Sequence, residues 1–263
     1  MSIDYKYVEE FKNVIKKGEF KENLKGELNN NTTLSVYYNA IYSGYLDACR
    51  TFTNNKLEKN ADKRITKLSE EIMSYLNNKD KQFELEKYCK ILIDDQKMTF
   101  GQAQKIVNMA FKYLYCLINF DNEIDKEYYL NKFKPCHMPL DRIMLEWLRR
   151  NSESVEKKSV GAWSKITDGA EDVDKDGKYT YGFYQKVIKT ISEKENRTPL
   201  ELDFLNWKEM SLILAAEDFL KSISEEKVDV NSSKQELFER IRQILNKEKG
   251  EEKYETRLCN GNV

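Results

Sequence analysis

The sequence predicts an all-α protein, a compact multi-helix globule with two helical halves around a cleft. Only three prolines and ten glycines interrupt the 263 residues, whereas a sandwich or barrel needs a turn signal roughly every ten residues. Hydrophobic residues make up 40% of the chain and aromatic residues 12%, which is enough for a packed interior. They recur at steps of three and four, the spacing of one helix face.

Four amphipathic helices are expected in the first third of the chain. A polar linker over 18–31, rich in Asn, Lys and Glu, separates the first helix from the second. The second carries a tyrosine cluster that includes Tyr45, which either packs in the core with its hydroxyl at the edge or lines a pocket for a flat ligand. The predicted spans are 4–17, 33–53, 59–77 and 81–93.

The middle of the chain is expected to form a longer helix from Phe100 to about Asn119. Its buried stripe is predicted to comprise Ala103, Val107, Ala110, Leu114 and Leu117. A polar stretch without a helix follows over 121–134. Later helices are predicted over 140–150 and 181–192, with a short turn of helix over 161–166.

The clearest helix start lies at Thr198-Pro-Leu-Glu201. A threonine cap, a proline at the first helical position and a glutamate three residues after the cap form a capping box. This helix should run to about Ile223, and a last amphipathic helix is predicted over 232–247.

One helical domain is expected over 1–250, either undivided or as two lobes that meet near 95–140, with a frayed tail over 251–263. The first residues lack the apolar run of a signal peptide, and no 18 consecutive apolar residues occur. These features predict a cytoplasmic protein without membrane contact. The net charge of −1 counts against nucleic-acid binding but does not exclude it, because affinity depends on the charge of one face.

No metal and no cofactor are expected. The five cysteines form no CxxC pair, and one histidine cannot sustain a histidine-rich metal site. Asp172, Asp174 and Asp176 before Gly177 resemble the opening of a calcium loop, but its twelfth position is Phe183 where glutamate is required. A solvated turn is therefore the preferred interpretation.

Lys105, Asn108 and Lys112 form a polar row along the helix that begins at Phe100. Such a row is ordinarily a solvated face. Asp141, at the start of the later helix, is ordinarily a cap or a partner of the helix dipole. The functional alternative is that these residues surround one site.

The stretch from Met98 to Arg150 resembles the catalytic core of the helix-hairpin-helix DNA glycosylases. In that family a lysine opens a helix after a glycine-containing hairpin, and an aspartate preceded by an apolar residue opens a later helix. Lys105 after Gly101, and Asp141 after Leu140, match this pattern. Their spacing is most similar to that of the archaeal 8-oxoguanine DNA glycosylases. The hairpin itself departs from the family pattern, since the turn here reads Lys-Met-Thr-Phe-Gly over 97–101.

The resemblance implies excision of a damaged or modified base from DNA. Lys105 would attack the sugar C1′ and form a Schiff base, and Asp141 would assist deprotonation and stabilise positive charge on the sugar. His137, the only histidine, is either structural or a proton carrier in the same cleft. Substrate contacts are expected from Asn108, Lys112, Trp163 and Tyr45, with Trp163 the candidate for stacking on a base.

A non-catalytic helical protein with an interaction or regulatory role is the alternative function. Its partner would be another protein, whereas the enzyme would bind DNA. No glycine-rich phosphate loop, GxSxG motif or dinucleotide fingerprint occurs, so P-loop phosphoryl transfer and Rossmann chemistry are excluded.

Overall fold

The regular secondary structure in the computed structural model is α-helical or 3-10 throughout the described residues, which are 6–15, 24, 27–29, 31–49, 61–93, 98–169 and 171–224. Two 3-10 turns, Lys157–Ser159 and Trp163–Lys165, lie between the seventh and eighth helices. The all-α class is confirmed. The helices are α1 (Lys6–Ile15), α2 (Leu34–Cys49), α3 (Ala61–Asn77), α4 (Leu85–Ile93), α5 (Phe100–Tyr115), α6 (Glu123–Phe133), α7 (Arg142–Asn151), α8 (Tyr181–Glu195) and α9 (Pro199–Ser224).

The chain divides into two compact units, Met1–Met210 and Ser211–Val263. All the contacts discussed below lie within the first unit. In the second unit only the end of α9 is described. The helix predicted over 232–247 and the tail over 251–263 lie outside the described residues.

Helix α5 is the centre of the first unit. Every residue from Gly101 to Tyr115 is buried, because α2 and α4 pack on α5 while α3 packs on both of them. A Cβ atom at Gly44 of α2 would lie 2.6 Å from the Ile106 carbonyl oxygen. Only glycine therefore permits the close approach of α2 to α5.

Helix α6 lies within 121–134, so the prediction of a stretch without a helix was wrong. Asn122 caps it, since its Oδ1 accepts hydrogen bonds from the backbone amides of Ile124 and Asp125 at 3.2 and 3.3 Å. Tyr129 and Phe133 are buried, whereas Ile124 is 82% exposed. Most residues of α6 are charged or polar, and the isoleucine points outward. The helix therefore lacks the regular apolar spacing by which an amphipathic helix is recognised in a sequence.

Lys132 of α6 lies at the end of α3. Its Nζ donates hydrogen bonds to the carbonyl oxygens of Asn78, Lys79 and Lys81 at 2.5, 3.2 and 2.9 Å. In return the Tyr75 hydroxyl donates to the Lys132 carbonyl oxygen. The three carbonyls belong to the turn between α3 and α4, so the Lys132 side chain joins α6 to that turn.

The capping box at α9 is confirmed. The Thr198 amide donates to Glu201 Oε2 at 2.7 Å, and the Glu201 amide donates to Thr198 Oγ1 at 3.3 Å. Within the described ranges, no helix combines the length and apolarity that crossing a membrane requires.

Candidate functional site

The polar row of α5 is buried, so the expectation of a solvated face was wrong. Lys105 is 7% exposed, Asn108 is 0% exposed and Lys112 is 2% exposed. Because other elements surround α5, this row faces protein, and each lysine pairs with an aspartate from a distant part of the chain. A buried charge requires such a partner.

Lys105 and Asp141 form the first of these pairs. Lys105 Nζ lies 3.8 Å from Asp141 Oδ2, and the two side chains are 9% and 13% exposed. Asp141 Oδ1 accepts hydrogen bonds from the backbone amides of Ile143 and Met144 at 2.9 and 3.0 Å, which caps α7. One carboxylate oxygen therefore holds the start of a helix and the other faces the amine.

Two tryptophans border this pair. Lys105 Nζ lies 4.6 Å from the centroid of the Trp163 ring, a cation–π distance. The Trp207 Nε1–H donates to Asp141 Oδ2 over 3.4 Å. Trp163 is half-buried in its 3-10 turn, as a ring next to a substrate would be. The role of Trp207 was not predicted, since its helical apolar context resembled ordinary core.

The Trp163 turn rests directly on the beginning of α5. Thr99 caps α5 through a capping box with Gln102, and the Thr99 hydroxyl also donates to the Ser164 carbonyl oxygen. A Cβ atom at Gly101 would lie 2.2 Å from the Trp163 carbonyl oxygen. Gly101 is therefore required for the contact that places Trp163 beside Lys105.

Lys112 and Asp203 form the second pair, which is completely enclosed. Their Nζ and Oδ2 atoms are 2.5 Å apart, with side chains 2% and 1% exposed. Burial raises the pKa of Asp203, and the adjacent Lys112 ammonium opposes that increase. The rings of Phe11 and Phe204 lie 4.1 and 5.0 Å from Lys112 Nζ. Lys112, predicted to bind substrate, has a structural partner and almost no exposed surface.

Asn108 lies in a buried hydrogen-bond network. Its Nδ2 is 3.1 Å from Gln104 Oε1, 3.3 Å from the Met138 carbonyl oxygen and 3.1 Å from the Tyr181 hydroxyl. The network holds the segment before α7 against α5. Like Lys112, Asn108 offers a substrate no exposed surface. Tyr45 is also buried, which supports the core interpretation of that ring.

His137 is joined to the same network through Tyr181. Its Nδ1 lies 2.8 Å from the Tyr181 oxygen. We assign the hydroxyl hydrogen to the contact with Nδ1, since Asn108 Nδ2 faces the same oxygen as a donor, and the neutral ring then carries its own proton on Nε2. Burial lowers the pKa of His137 to about 4. No hydrogen bond or ion pair among the described residues joins His137 to Lys105 or Asp141.

The acidic turn before α8 is organised by its own carboxylate. Asp174 Oδ1 accepts hydrogen bonds from the amides of Asp176 and Lys178, both at 2.9 Å, and Gly177 has a φ of 68°. Over the described part of the chain, no three His, Cys, Asp or Glu side chains gather as metal ligands. Four cysteines in that part are free thiols, and burial raises the pKa of Cys116 to about 12.

The site thus brings together Lys105, Asp141 and Trp163, adds Trp207, and leaves His137 apart. Neither a protein-family model, nor a curated protein, nor a solved structure matches the chain. What the site does is therefore inferred from the chemistry of these side chains.

Proposed function

We propose that this protein is a DNA glycosylase, or has glycosylase-like chemistry, and excises a damaged or modified base. The observation that carries the proposal is the 3.8 Å separation between Lys105 Nζ and Asp141 Oδ2, which come from separate elements. An amine that acts as a nucleophile needs a nearby group to accept its proton and a setting with little water. Both conditions hold for this pair.

The reaction begins with a base flipped out of the duplex. The Lys105 ammonium first gives a proton to Asp141, and the freed nitrogen then bonds to C1′ while the bond from C1′ to the base breaks. The electron pair of that bond leaves with the base, which takes up the proton that Asp141 received. The nitrogen loses a proton to Asp141, and opening of the sugar ring, with protonation of the ring oxygen, gives the Schiff base.

Asp141 is suited to this role because its two oxygens have separate tasks. Oδ1 is fixed by the two amides of α7, so Oδ2 is held toward the amine. Trp207 donates to Oδ2 and restricts its rotation further. The negative charge then lies close to the positive charge that develops on the sugar.

Trp163 controls access to the amine. Since Lys105 is only 7% exposed and the Trp163 ring lies over its Nζ, a sugar carbon reaches the nitrogen only when that ring moves. A displaced Trp163 is then available to stack on the flipped base, because every base has a flat π face.

Borohydride trapping tests the proposal. The protein is incubated with duplex DNA that contains an abasic site or 8-oxoguanine, and a Schiff base is reduced to a stable covalent complex. We expect capture by the natural protein, loss of capture in Lys105→Ala, and at least about a tenfold slower capture in Asp141→Asn. Asp141→Asn keeps Oδ1 and therefore the cap of α7.

Lys165→Ala is the matched control, because Lys165 is an exposed lysine in the Trp163 turn. It should trap DNA as the natural protein does. Capture that survives in Lys105→Ala would show that another amine reacts with the DNA. Absence of capture on every modified base would refute the proposal.

The alternative is a non-catalytic helical protein that binds another protein. It is favoured by one observation: Asp141 already caps α7 and Lys105 already lies against Trp163, so both have structural roles without any substrate. In that case Lys105→Ala lowers stability and no DNA is trapped.

A further inference from the structure

A cleft with a volume of about 1160 Å³ is lined by residues of α3, α4, α5 and α8, and by residues that adjoin these helices. Neither Lys105 nor Asp141 lines it. Small-molecule sites are commonly clefts of roughly this size with apolar walls and few polar groups. The cleft therefore has the dimensions of a ligand site separate from the lysine–aspartate pair.

Four aromatic rings form one part of the lining: Phe83, Phe100, His137 and Tyr181. Phe83 contacts His137 edge to face at 5.4 Å between centroids, and Phe100 contacts Tyr181 at 5.3 Å. Phe83, Phe100 and His137 are half-buried, so part of each ring remains available. Such walls favour a flat ring, which gains both apolar contact and edge-to-face geometry.

His137 supplies a hydrogen-bond donor to this cleft. Its Nδ1 faces the Tyr181 hydroxyl, so the protonated Nε2 lies at the other edge of the ring. Among the described residues, the one hydrogen bond of the His137 ring is that of Nδ1. Because the imidazole is neutral above about pH 4, this donor carries no charge.

Gln185 supplies a second uncharged donor. The side chain lines the same cleft, and its Nε2 is buried without a partner among the described residues. A buried amide donor without an acceptor is unfavourable. Rotation of the terminal amide toward the cleft would let a ligand oxygen satisfy it.

The charges of the lining nearly cancel. Three lysines and four carboxylates take part, and all except Glu71 are exposed. Glu71 is paired with Lys87 at 2.7 Å. No single-sign field therefore attracts an ion, and moving a charged ligand against the aromatic walls would cost its hydration.

We propose that this cleft binds a small, uncharged, planar aromatic molecule that carries a carbonyl oxygen. The ring lies against Phe83, Phe100 and His137, and the carbonyl accepts hydrogen bonds from His137 Nε2 and Gln185. This site does not depend on the chemistry of Lys105.

The sole histidine makes the test direct, because the imidazole proton signals of His137 need no assignment. The intact protein is titrated with benzamide, and with its isosteres benzoate and benzamidine. We expect the His137 signals to move with benzamide and saturate, with a dissociation constant on the order of 1 mM for a molecule this small. Benzoate is charged, and benzamidine has no carbonyl oxygen, so both should bind at least about fivefold more weakly.

Gln185→Leu should weaken the binding of benzamide about fivefold or more. Without ligand, this variant should show the same His137 signals as the natural protein. Gln82→Leu, an exposed change outside the lining, should leave binding unaltered. Phe100→Leu provides a second variant that reduces ring contact. The proposal is overturned by benzamidine or benzoate binding equally well, by unchanged affinity in Gln185→Leu, or by unmoved His137 signals up to about 20 mM benzamide.

Discussion

Gln104 holds Leu140 through both ends of its carboxamide. Gln104 Nε2 donates to the Leu140 carbonyl oxygen at 2.9 Å, and the Leu140 amide donates to Gln104 Oε1 at 3.3 Å. Gln104 precedes Lys105 and Leu140 precedes Asp141. The separation of the amine and the carboxylate is therefore set by a contact between the Gln104 side chain and the Leu140 main chain, which are their immediate neighbours in sequence.

Replacing Gln104 with methionine should destabilise the protein by about 2–6 kcal/mol. The change keeps the volume but leaves the buried amide and carbonyl of Leu140 without partners, and each such group costs about 1–3 kcal/mol. The measurement is the free energy of unfolding in urea. Gln82→Met, at an exposed position, should change that energy by less than about 0.5 kcal/mol. Equal stability of the two variants would show that these bonds contribute nothing.

Removing the charge of Asp203 alone should destabilise the protein more than removing the charges of both Asp203 and Lys112. Asp203→Leu leaves the Lys112 ammonium buried and should cost about 3–5 kcal/mol, whereas apolar replacement of both partners of a buried pair is often close to neutral. The free energy of unfolding in urea is measured for Asp203→Leu, for Lys112→Met and for the double variant. If the double variant lost the sum of the single losses, the two side chains would be energetically independent.

Gly101→Ala should displace the Trp163 turn from α5. The added methyl group would lie 2.2 Å from the Trp163 carbonyl oxygen, an overlap with main chain that should cost about 1–3 kcal/mol or more. Thermal unfolding and hydrogen exchange of residues 163–166 provide the measurements. Gly161→Ala is the control, because its nearest neighbour would be Lys178 Cβ at 3.6 Å, an ordinary contact. Normal protection of 163–166 in Gly101→Ala would contradict the predicted clash.

The stability of the protein should fall between pH 7 and pH 4 because of His137. Burial lowers the pKa of His137 from 6.5 to about 4, so between these values the unfolded chain binds a proton that the folded chain does not. Stability then decreases as the pH falls, and at pH 4 the loss is about 3 kcal/mol, since one pKa unit corresponds to about 1.4 kcal/mol.

The control for this effect is His137→Gln, which cannot titrate. Since no other histidine exists, the difference between the two unfolding curves isolates this residue. Parallel curves from pH 7 to pH 4 would mean that His137 is equally protonated in both states.

Apolar spacing predicted most of the described helices, and the box at Thr198 identified the start of α9, because these signals are local. The start of α5 at Phe100 was also predicted, although not from the capping signal of the same kind that Thr99 and Gln102 carry there. The burial of the Lys105 row could not be predicted, since it depends on which elements surround α5. The role of Asp203 could not be predicted either. No sequence pattern marks it, because its partner Lys112 comes close only through tertiary packing.

The amino end of α5 has consequences for any bound polyanion. A helix start attracts phosphate through its free amides and partial positive charge. Here the Trp163 carbonyl oxygen lies directly over Gly101, and the Ser164 carbonyl accepts from the Thr99 hydroxyl. Main-chain oxygens thus lie against the first turn of α5, where they would repel a phosphate. A nucleic-acid strand that approaches Lys105 must be anchored by side chains, or must first lift residues 163–166 from the helix.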